Sequence, residues 1–209
     1  MSKVYPVMLN IAGGLVVVIG GGKVALRKIK SLLEADADLL VVSPMVVDEI
    51  KELHANHSLR LITKEFEPSV LNQAKFAFAC TNSKEVNRQV YEVAVSQNIF
   101  VNVVDQPELS TFFVPSTLRR GLLTISFSTS AASPAISKYL REQLESKFTQ
   151  SWEPFLELLA AARKKILSSQ LSDEERRAKL LSISDKRLVD LVFASKLEQV
   201  KSIIAKIVD

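Results

Sequence analysis

A glycine-rich turn is the first feature of this chain that could do chemistry. Residues 20–22 are three glycines that follow the apolar run 15–19 and precede residues 23–33, where apolar side chains recur at helical spacing. With Ala25 they complete a G-x-G-x-x-A pattern. Such a strand, turn and helix is typical of a dinucleotide site, because the glycines allow a tight turn and a close approach to a pyrophosphate at a helix start. The pattern predicts a bound nucleotide, and a phosphate-free structural turn is the alternative.

The end of the second apolar strand lacks a residue that dinucleotide sites usually contain. An acid about 20 residues beyond the glycines commonly binds the adenosine ribose, whereas this chain continues with Ser43, Pro44 and Met45. Ser43 can donate a hydrogen bond, and the backbone at Pro44 and Met45 could hold the adenosine. Because no arginine stands here to favour a 2′-phosphate, we expect NAD rather than NADP, although these residues do not establish the preference.

Asp105 is the first candidate for proton transfer. It follows an apolar strand predicted at 99–104, at the carboxyl edge where open α/β sheets bind ligands. A turn-forming aspartate before Gln106 and Pro107 is the equal alternative. Asn102, inside the same strand, either orients a ligand or is a buried amide with its hydrogen bonds satisfied.

Other candidates stand at strand and helix ends. Thr81 and Asn82 follow an apolar strand, so we expect them to contact the cofactor, while Cys80 is expected to be a small buried residue. His54 and His57 are spaced to share a helix face, but no third ligand lies nearby, so no metal site is predicted.

A run of hydroxyl side chains precedes a predicted helix after residue 133. Its hydroxyls and the free N–H groups of the helix start could bind an anion, and an ordinary loop with an N-cap is the alternative. Two arginines in a predicted turn could receive carboxylates or be solvated. The candidate substrate residues are Asn102, Ser128, Thr129, Ser130, Ser133, Arg119 and Arg120.

The elements around these residues predict an α/β fold. Apolar strands alternate with amphipathic helices up to residue 114, which is typical of a Rossmann-like parallel sheet domain. Residues 5–9 could add an edge strand. The predicted strands are 15–19, 39–43, 59–62, 75–79 and 99–104, and the predicted helices lie near 23–35, 46–56, 68–73 and 83–97.

Two further segments follow the predicted nucleotide-binding domain of residues 1–114. Residues 115–149 predict a turn at 119–121, a strand at 122–128 and a helix with Ser133 as its N-cap. Two strands and a helix are too small to fold alone, so we expect this small α+β segment to mediate dimerisation. Residues 150–209 predict a helical C-terminal domain, with a capping box at Ser172 and Glu175.

Composition excludes several functional classes. The 209 residues are 47% hydrophobic, enough for a core, but the apolar runs are strand-sized and the N-terminus lacks a signal-peptide h-region. One cysteine suits the cytoplasm, where we expect the protein. The net charge of +4 comes from scattered basic residues, which fits a small polyanionic ligand and not a nucleic acid.

Several short motifs carry a family resemblance through their order along the chain. They are residues 5–9, 20–28, 81–82 with 86–87, 102–105, 112–115 and 126–134. Together they resemble the precorrin-2 dehydrogenase family, the N-terminal module of siroheme synthases, over residues 3–148. No methyltransferase segment follows, so the chain resembles the stand-alone form.

The resemblance implies an activity and a site. NAD would take a hydride from precorrin-2, a tetrapyrrole polycarboxylate, to yield sirohydrochlorin for siroheme or cobalamin synthesis. Asp105 matches the family's essential acid. The chain would form a homodimer through residues 115–149, the middle segment, with substrate in a cleft between the nucleotide domain and that segment. The residues expected to bind NAD are Gly20, Gly21, Gly22, Lys23, Val24, Ser43, Pro44, Met45, Thr81 and Asn82.

The resemblance also leaves alternatives open. Some relatives insert Fe2+ into sirohydrochlorin, so Fe2+ or Co2+ could be a further substrate, and an NAD-sensing regulatory dimer is the non-enzymatic alternative. Ala131 and Ala132 replace a glycine-containing pair in the hydroxyl run, and Thr129 stands where some relatives have a regulatory serine. These departures bear on the substrate contacts.

Overall fold

The chain divides after Val114. The computed structural model describes residues 4–130 and 132–208, so the expected departure at Ala131 lies outside the described residues. Two units result, Ser2–Val114 and Pro115–Asp209.

A five-stranded parallel sheet forms the first unit and confirms the predicted Rossmann-like class. Each strand lies within one residue of its predicted bounds, and the order across the sheet is β3-β2-β1-β4-β5. The strands are β1 (Leu15–Ile19), β2 (Asp38–Val42), β3 (Arg60–Ile62), β4 (Phe76–Ala79) and β5 (Phe100–Val103).

Helices cover both faces of this sheet because its central strands are apolar on both sides. Val16 and Val18 of β1 pack with Ile29 of helix α1, whereas Val17 packs with Val90 of α3 on the opposite face. A strand buried on both faces reads as a continuous apolar run, as β1 does. The helices are α1 (Lys23–Leu33), α2 (Asp48–Ala55) and α3 (Lys84–Ser96).

Two predictions in this unit differ from the structure. The helix expected near 68–73 is a single 3-10 turn at Pro68–Leu71, because Asn72, with ψ 127°, leaves the helical conformation directly after it. The optional edge strand at 5–9 has no regular secondary structure. Pro6 supplies no N–H to a sheet ladder, which disfavours a strand there.

A hairpin and a helix begin the second unit. Strands β6 (Ser116–Arg120) and β7 (Leu123–Phe127) pair antiparallel with Arg120 opposite Leu123, and α4 spans Pro134–Glu145. The turn predicted at 119–121 is therefore wrong for both arginines, which belong to β6, and right for Gly121, which lies in the connection. Gly121, at φ +54°, takes the left-handed conformation that the two-residue connection needs, so the strand continues up to it.

Four helices complete the second unit and confirm the predicted helical C-terminal region. They enclose a core around Phe155, Ile166, Leu188 and Ile204, and the capping box at Ser172 and Glu175 is present. The further division predicted at residue 150 stays a prediction. The helices are α5 (Trp152–Leu167), α6 (Asp173–Ser182), α7 (Lys186–Phe193) and α8 (Leu197–Val208). Within 4–130 and 132–208, no helix is long and apolar enough to cross a membrane.

Candidate functional site

A pocket of about 500 Å³ opens at the carboxyl edge of the parallel sheet. The loops after β1, β2, β3 and β4 form its wall. Most of the residues expected to bind the cofactor line it, but Lys23 and Val24, exposed in the first turn of α1, lie outside the wall. The predicted residues in the wall are Gly20, Gly21, Gly22, Ser43, Pro44, Met45, Thr81 and Asn82.

At two of the three glycines, a neighbouring loop leaves no room for a side chain. Gly20 has φ +117°, and an added Cβ would overlap the carbonyl oxygen of Cys80. At Gly21 an added Cβ would overlap the carbonyl oxygen of Met45. The Val47 N–H donates a 2.9 Å hydrogen bond to the Gly21 carbonyl, which holds the two loops together. Sequence reasoning missed this need for glycine at position 21, because it arises from a contact between loops distant in sequence.

Gly22 differs from its two neighbours because its missing side chain faces open space. An added Cβ would meet nothing within 4 Å. Gly22 is also the N-cap of α1, and in the described part of the chain no side chain caps this helix. The first N–H groups of an uncapped helix are available to an external acceptor, and the helix dipole favours an anion there. This end of the pocket therefore fits a dinucleotide's phosphates.

Ser43 already forms a hydrogen bond within its own turn. Its Oγ donates to the Met45 carbonyl at 2.7 Å, and the residue is buried. The hydroxyl proton that we expected to be available to an adenosine is therefore used in the turn. Met45 extends into solvent with 82% of its surface exposed.

Asn87 fixes the loop after β4; as a sequence it belongs to a motif of the family resemblance, but no contact was predicted for it. Its side chain is buried on α3, and Oδ1 accepts hydrogen bonds from Thr81 Oγ1 at 2.8 Å and from the Thr81 N–H at 3.3 Å. Nδ2 donates to the Thr81 carbonyl at 3.1 Å. A polar residue on the otherwise apolar face of a helix was the available signal.

Cys80 is a small buried residue, as predicted. It is 8% exposed, and burial raises the pKa of its thiol to about 11, so the thiol stays protonated at neutral pH. Lys28 lies nearby, and burial lowers the pKa of its ammonium group. Its Nζ lies 5.9 Å from the centroid of the Phe78 ring, within the range of a cation–π interaction.

Glu65 and Phe66 also line the pocket and were missed. They follow β3 after two residues, at the same carboxyl edge as the predicted residues. Among the residues described, Glu65 is the only charged member of the pocket wall. Its place just beyond a strand was a usable signal, but the sequence does not say that β3 lies beside β2.

Asp105 lies just beyond β5 and outside the pocket wall. It is exposed and has φ +60°, a left-handed conformation that aspartate tolerates better than most residues. The turn interpretation describes its backbone, and its exposed carboxylate also suits proton transfer. Asn102 is buried in β5, and its Nδ2 donates to the Phe112 carbonyl at 3.0 Å.

The hydroxyls of Ser128, Thr129 and Ser133 form hydrogen bonds with the backbone of their own loop and of the first turn of α4. Thr129 Oγ1 accepts from the Ser133 N–H and donates to the Ser133 carbonyl, each at 3.0 Å, and Ser133 Oγ accepts from the Ile136 N–H. Ser128 Oγ accepts from the N–H of Ser130. The run therefore has the geometry of a loop and N-cap, with Ser128 and Ser130 exposed.

The two arginines of β6 have different surroundings. Arg120 is half-buried, and its Nε donates to the Phe148 carbonyl at 2.8 Å while Nη1 donates to the Arg119 carbonyl. Arg119 is exposed. Within the second unit, Arg119 is therefore the more accessible of the two guanidinium groups.

The histidines lie at the end of α2, as expected. The Nδ1 atom of His54 lies 3.2 Å from the Leu59 carbonyl oxygen, and His57 has φ +58°. Across residues 4–130 and 132–208, no three His, Cys, Asp or Glu side chains gather as a metal site would require.

The fold and pocket are those of a nucleotide-binding domain, and comparison with known families agrees. Residues 7–116 match a family described as "Putative NAD(P)-binding". The chain belongs to this family, in the group that includes siroheme synthases and precorrin-2 dehydrogenase.

The similarity to individual relatives supports this assignment. The chain is 36% identical over 192 residues to the siroheme synthase of Nitrosomonas europaea, covering 91% of this chain and 40% of the relative. It is 36% identical to siroheme synthase 3 of Aeromonas hydrophila, covering 82% of this chain and 37% of that protein. The chain thus spans well under half the length of these curated relatives. The solved structure of SirC, precorrin-2 dehydrogenase, matches with a TM-score of 0.80 at 30% identity, covering 97% of this chain and 100% of that one.

Proposed function

We propose that this chain catalyses the NAD-dependent dehydrogenation of precorrin-2 to sirohydrochlorin in siroheme synthesis. The observation that carries the proposal is the similarity to SirC, which extends over nearly the whole of both chains. The pocket at the carboxyl edge supports it, because its backbone is arranged as a dinucleotide site requires.

The pocket residues bind and orient the cofactor. The open space at Gly22 and the uncapped start of α1, with Lys23 and Val24, receive the phosphates. Ser43, Pro44 and Met45 line the adenosine side, and Thr81, held by Asn87, lines the wall with Asn82. When bound, NAD supplies a hydride acceptor.

Asp105 accepts the proton that remains after the hydride has left the substrate. Loss of a hydride and a proton removes two electrons and two hydrogens, so the reaction needs a base as well as an acceptor. Asp105 is an exposed carboxylate at the ligand-binding edge of the sheet, which supports this role. Asn102, which is bonded to Phe112, orients the strand end that carries it.

Cationic and hydroxyl groups of the second unit bind the substrate carboxylates. Guanidinium groups pair well with carboxylates, and exposed hydroxyls can donate to them. The net charge of +4 supports an anionic substrate. The proposed residues are Arg119, Arg120, Ser128, Ser130 and Ser133, while Thr129, whose hydroxyl proton is donated to the Ser133 carbonyl, shapes the loop that carries them.

The protein acts as a homodimer through the middle segment. An apolar stripe on α4 is exposed, with Ile136 at 53%, Tyr139 at 59% and Leu140 at 41%. A two-stranded sheet needs further packing to be stable, which a second copy would supply. Sedimentation velocity tests this proposal, and a monomer at micromolar concentration would exclude it.

The test of the activity is the formation of NADH from NAD and precorrin-2, followed by absorbance. We expect Asp105→Asn to abolish turnover and to leave the affinity for NAD unchanged, because asparagine also tolerates the left-handed backbone. Asp36→Asn is the matched control, since Asp36 is exposed with φ +55° in the turn between α1 and β2, and it should keep full activity.

Two results would overturn the proposal. NAD binding without NADH formation from precorrin-2 would favour the NAD-sensing dimer, and full activity of Asp105→Asn would exclude Asp105 as the base. Sirohydrochlorin supplied with Fe2+ or Co2+, after subtraction of the rate without protein, measures metal insertion separately.

A further inference from the structure

The adenosine side of the pocket lacks the acid that NAD sites usually place after the second strand. In dinucleotide folds that acid accepts a hydrogen bond from the ribose 2′-hydroxyl, and an arginine nearby accommodates a 2′-phosphate. Here β2 leads into Ser43, Pro44 and Met45, and the Ser43 hydroxyl proton is already donated to the Met45 carbonyl. The loop after β2 therefore offers no charged group to the ribose.

The neighbouring strand brings a carboxylate to the same place. β3 pairs in parallel with β2, so both strands end at the same edge of the sheet. The Ser43 N–H donates to the Ile62 carbonyl at 3.2 Å, which joins the two strand ends. Glu65 follows Ile62 by three residues and shares the pocket wall with Met45 and Val46.

The charge of Glu65 is available to a ligand. Its side chain is exposed, and among the described residues no hydrogen bond or ion pair engages its carboxylate. The adjacent Lys64 is paired with Glu67 at 2.7 Å. Phe66 packs against the apolar core and thereby anchors the loop. No lysine or arginine lies among the described wall residues.

We propose that Glu65 takes the place of the missing acid and selects NAD over NADP. Its carboxylate accepts a hydrogen bond from a ribose hydroxyl of NAD. It repels the 2′-phosphate of NADP, which carries up to two negative charges near neutral pH. The specificity determinant thus comes from the loop after β3 and not from the loop after β2. This inference rests on the proposed binding of NAD.

Calorimetric titration of the protein with NAD and with NADP, in the absence of substrate, tests the proposal without relying on turnover. We expect the wild type to bind NAD at least about tenfold more tightly, and Glu65→Gln to reduce that ratio about tenfold, because it removes a charged hydrogen-bond acceptor. Glu65→Arg should reverse the preference. Glu52→Gln, an exposed glutamate of α2 outside the pocket wall, makes the same change in net charge and should keep the wild-type ratio.

A 2′-deoxy analogue of NAD locates the contact. If Glu65 accepts from the 2′-hydroxyl, the analogue binds the wild type about tenfold more weakly than NAD does, and Glu65→Gln no longer distinguishes the two. The proposal is overturned if the NAD to NADP ratio of folded Glu65→Gln equals that of the wild type, or if Glu52→Gln changes it equally. Failure of the wild type to bind either nucleotide would instead refute the proposed function, and this inference with it.

Discussion

Helices α1 and α4 differ in what satisfies the backbone N–H groups of their first turns, although α1 begins after a glycine-rich loop and α4 after a hydroxyl-rich one. At α4, Ser133 caps the helix with its hydroxyl, and the hydroxyl of Thr129 accepts from the Ser133 N–H. At α1, Gly22 is the cap and contributes no side chain. Both starts fitted an anion site when only their residue types were known.

The start of α4 is capped by a side chain, whereas the first N–H groups of α1 are available to a ligand. Side-chain oxygens already satisfy part of the α4 start, so an anion arriving there would have to displace them. The α1 start has open space where a phosphate can approach. We therefore expect the nucleotide phosphates at α1, and we expect substrate carboxylates in the second unit to depend more on arginine than on the α4 helix start.

The largest effect is expected from adding a side chain at Gly21, where the loops after β1 and β2 are in contact. Gly21→Ala places a methyl group against the Met45 carbonyl, so we expect the free energy of unfolding to fall by about 2 to 3 kcal/mol and NAD binding to be lost. Urea unfolding followed by far-UV circular dichroism, with NAD titration, measures both. Wild-type stability in this variant would mean that the two loops do not pack as described.

A smaller and selective effect is expected at the neighbouring glycine. Gly22→Ala meets no atoms, so the free energy of unfolding should change by less than about 1 kcal/mol. The methyl group occupies space at the helix start, and we expect the affinity for NAD to fall about tenfold, equivalent to about 1.4 kcal/mol. An unchanged affinity would remove the distinction drawn between α1 and α4.

The smallest effect is expected at the cap of α4. Ser133→Ala removes the hydroxyl that accepts from Ile136, which should lower the free energy of unfolding by about 1 kcal/mol and leave NAD affinity unchanged. Trp152, the chain's only tryptophan, lies in the core of the second unit and reports its unfolding by fluorescence. Ser146→Ala, at the other end of α4, should change stability by less than about 0.5 kcal/mol. A weaker affinity of Ser133→Ala for NAD would show that the two helix starts are not independent.

Local patterns determined the elements and much of the candidate site. The apolar run 15–19, the glycines that follow it and the helical spacing after Lys23 all act over a few residues, through backbone conformation and burial. They predicted the parallel sheet, the bounds of its five strands to within one residue and the turn that lines the pocket. Asp105 was predicted at the end of a strand for the same reason, and its catalytic role stays a proposal.

The tertiary structure decided which groups meet and which are already occupied. The need for glycine at position 21, the clamp of Asn87 on Thr81 and the entry of Glu65 into the pocket all depend on which loops the strand order brings together. The same holds for the hydroxyl run, whose members could bind an anion or their own backbone. A sequence specifies donors and acceptors, but their pairing depends on distances between residues far apart in the chain, and only the folded chain sets those distances.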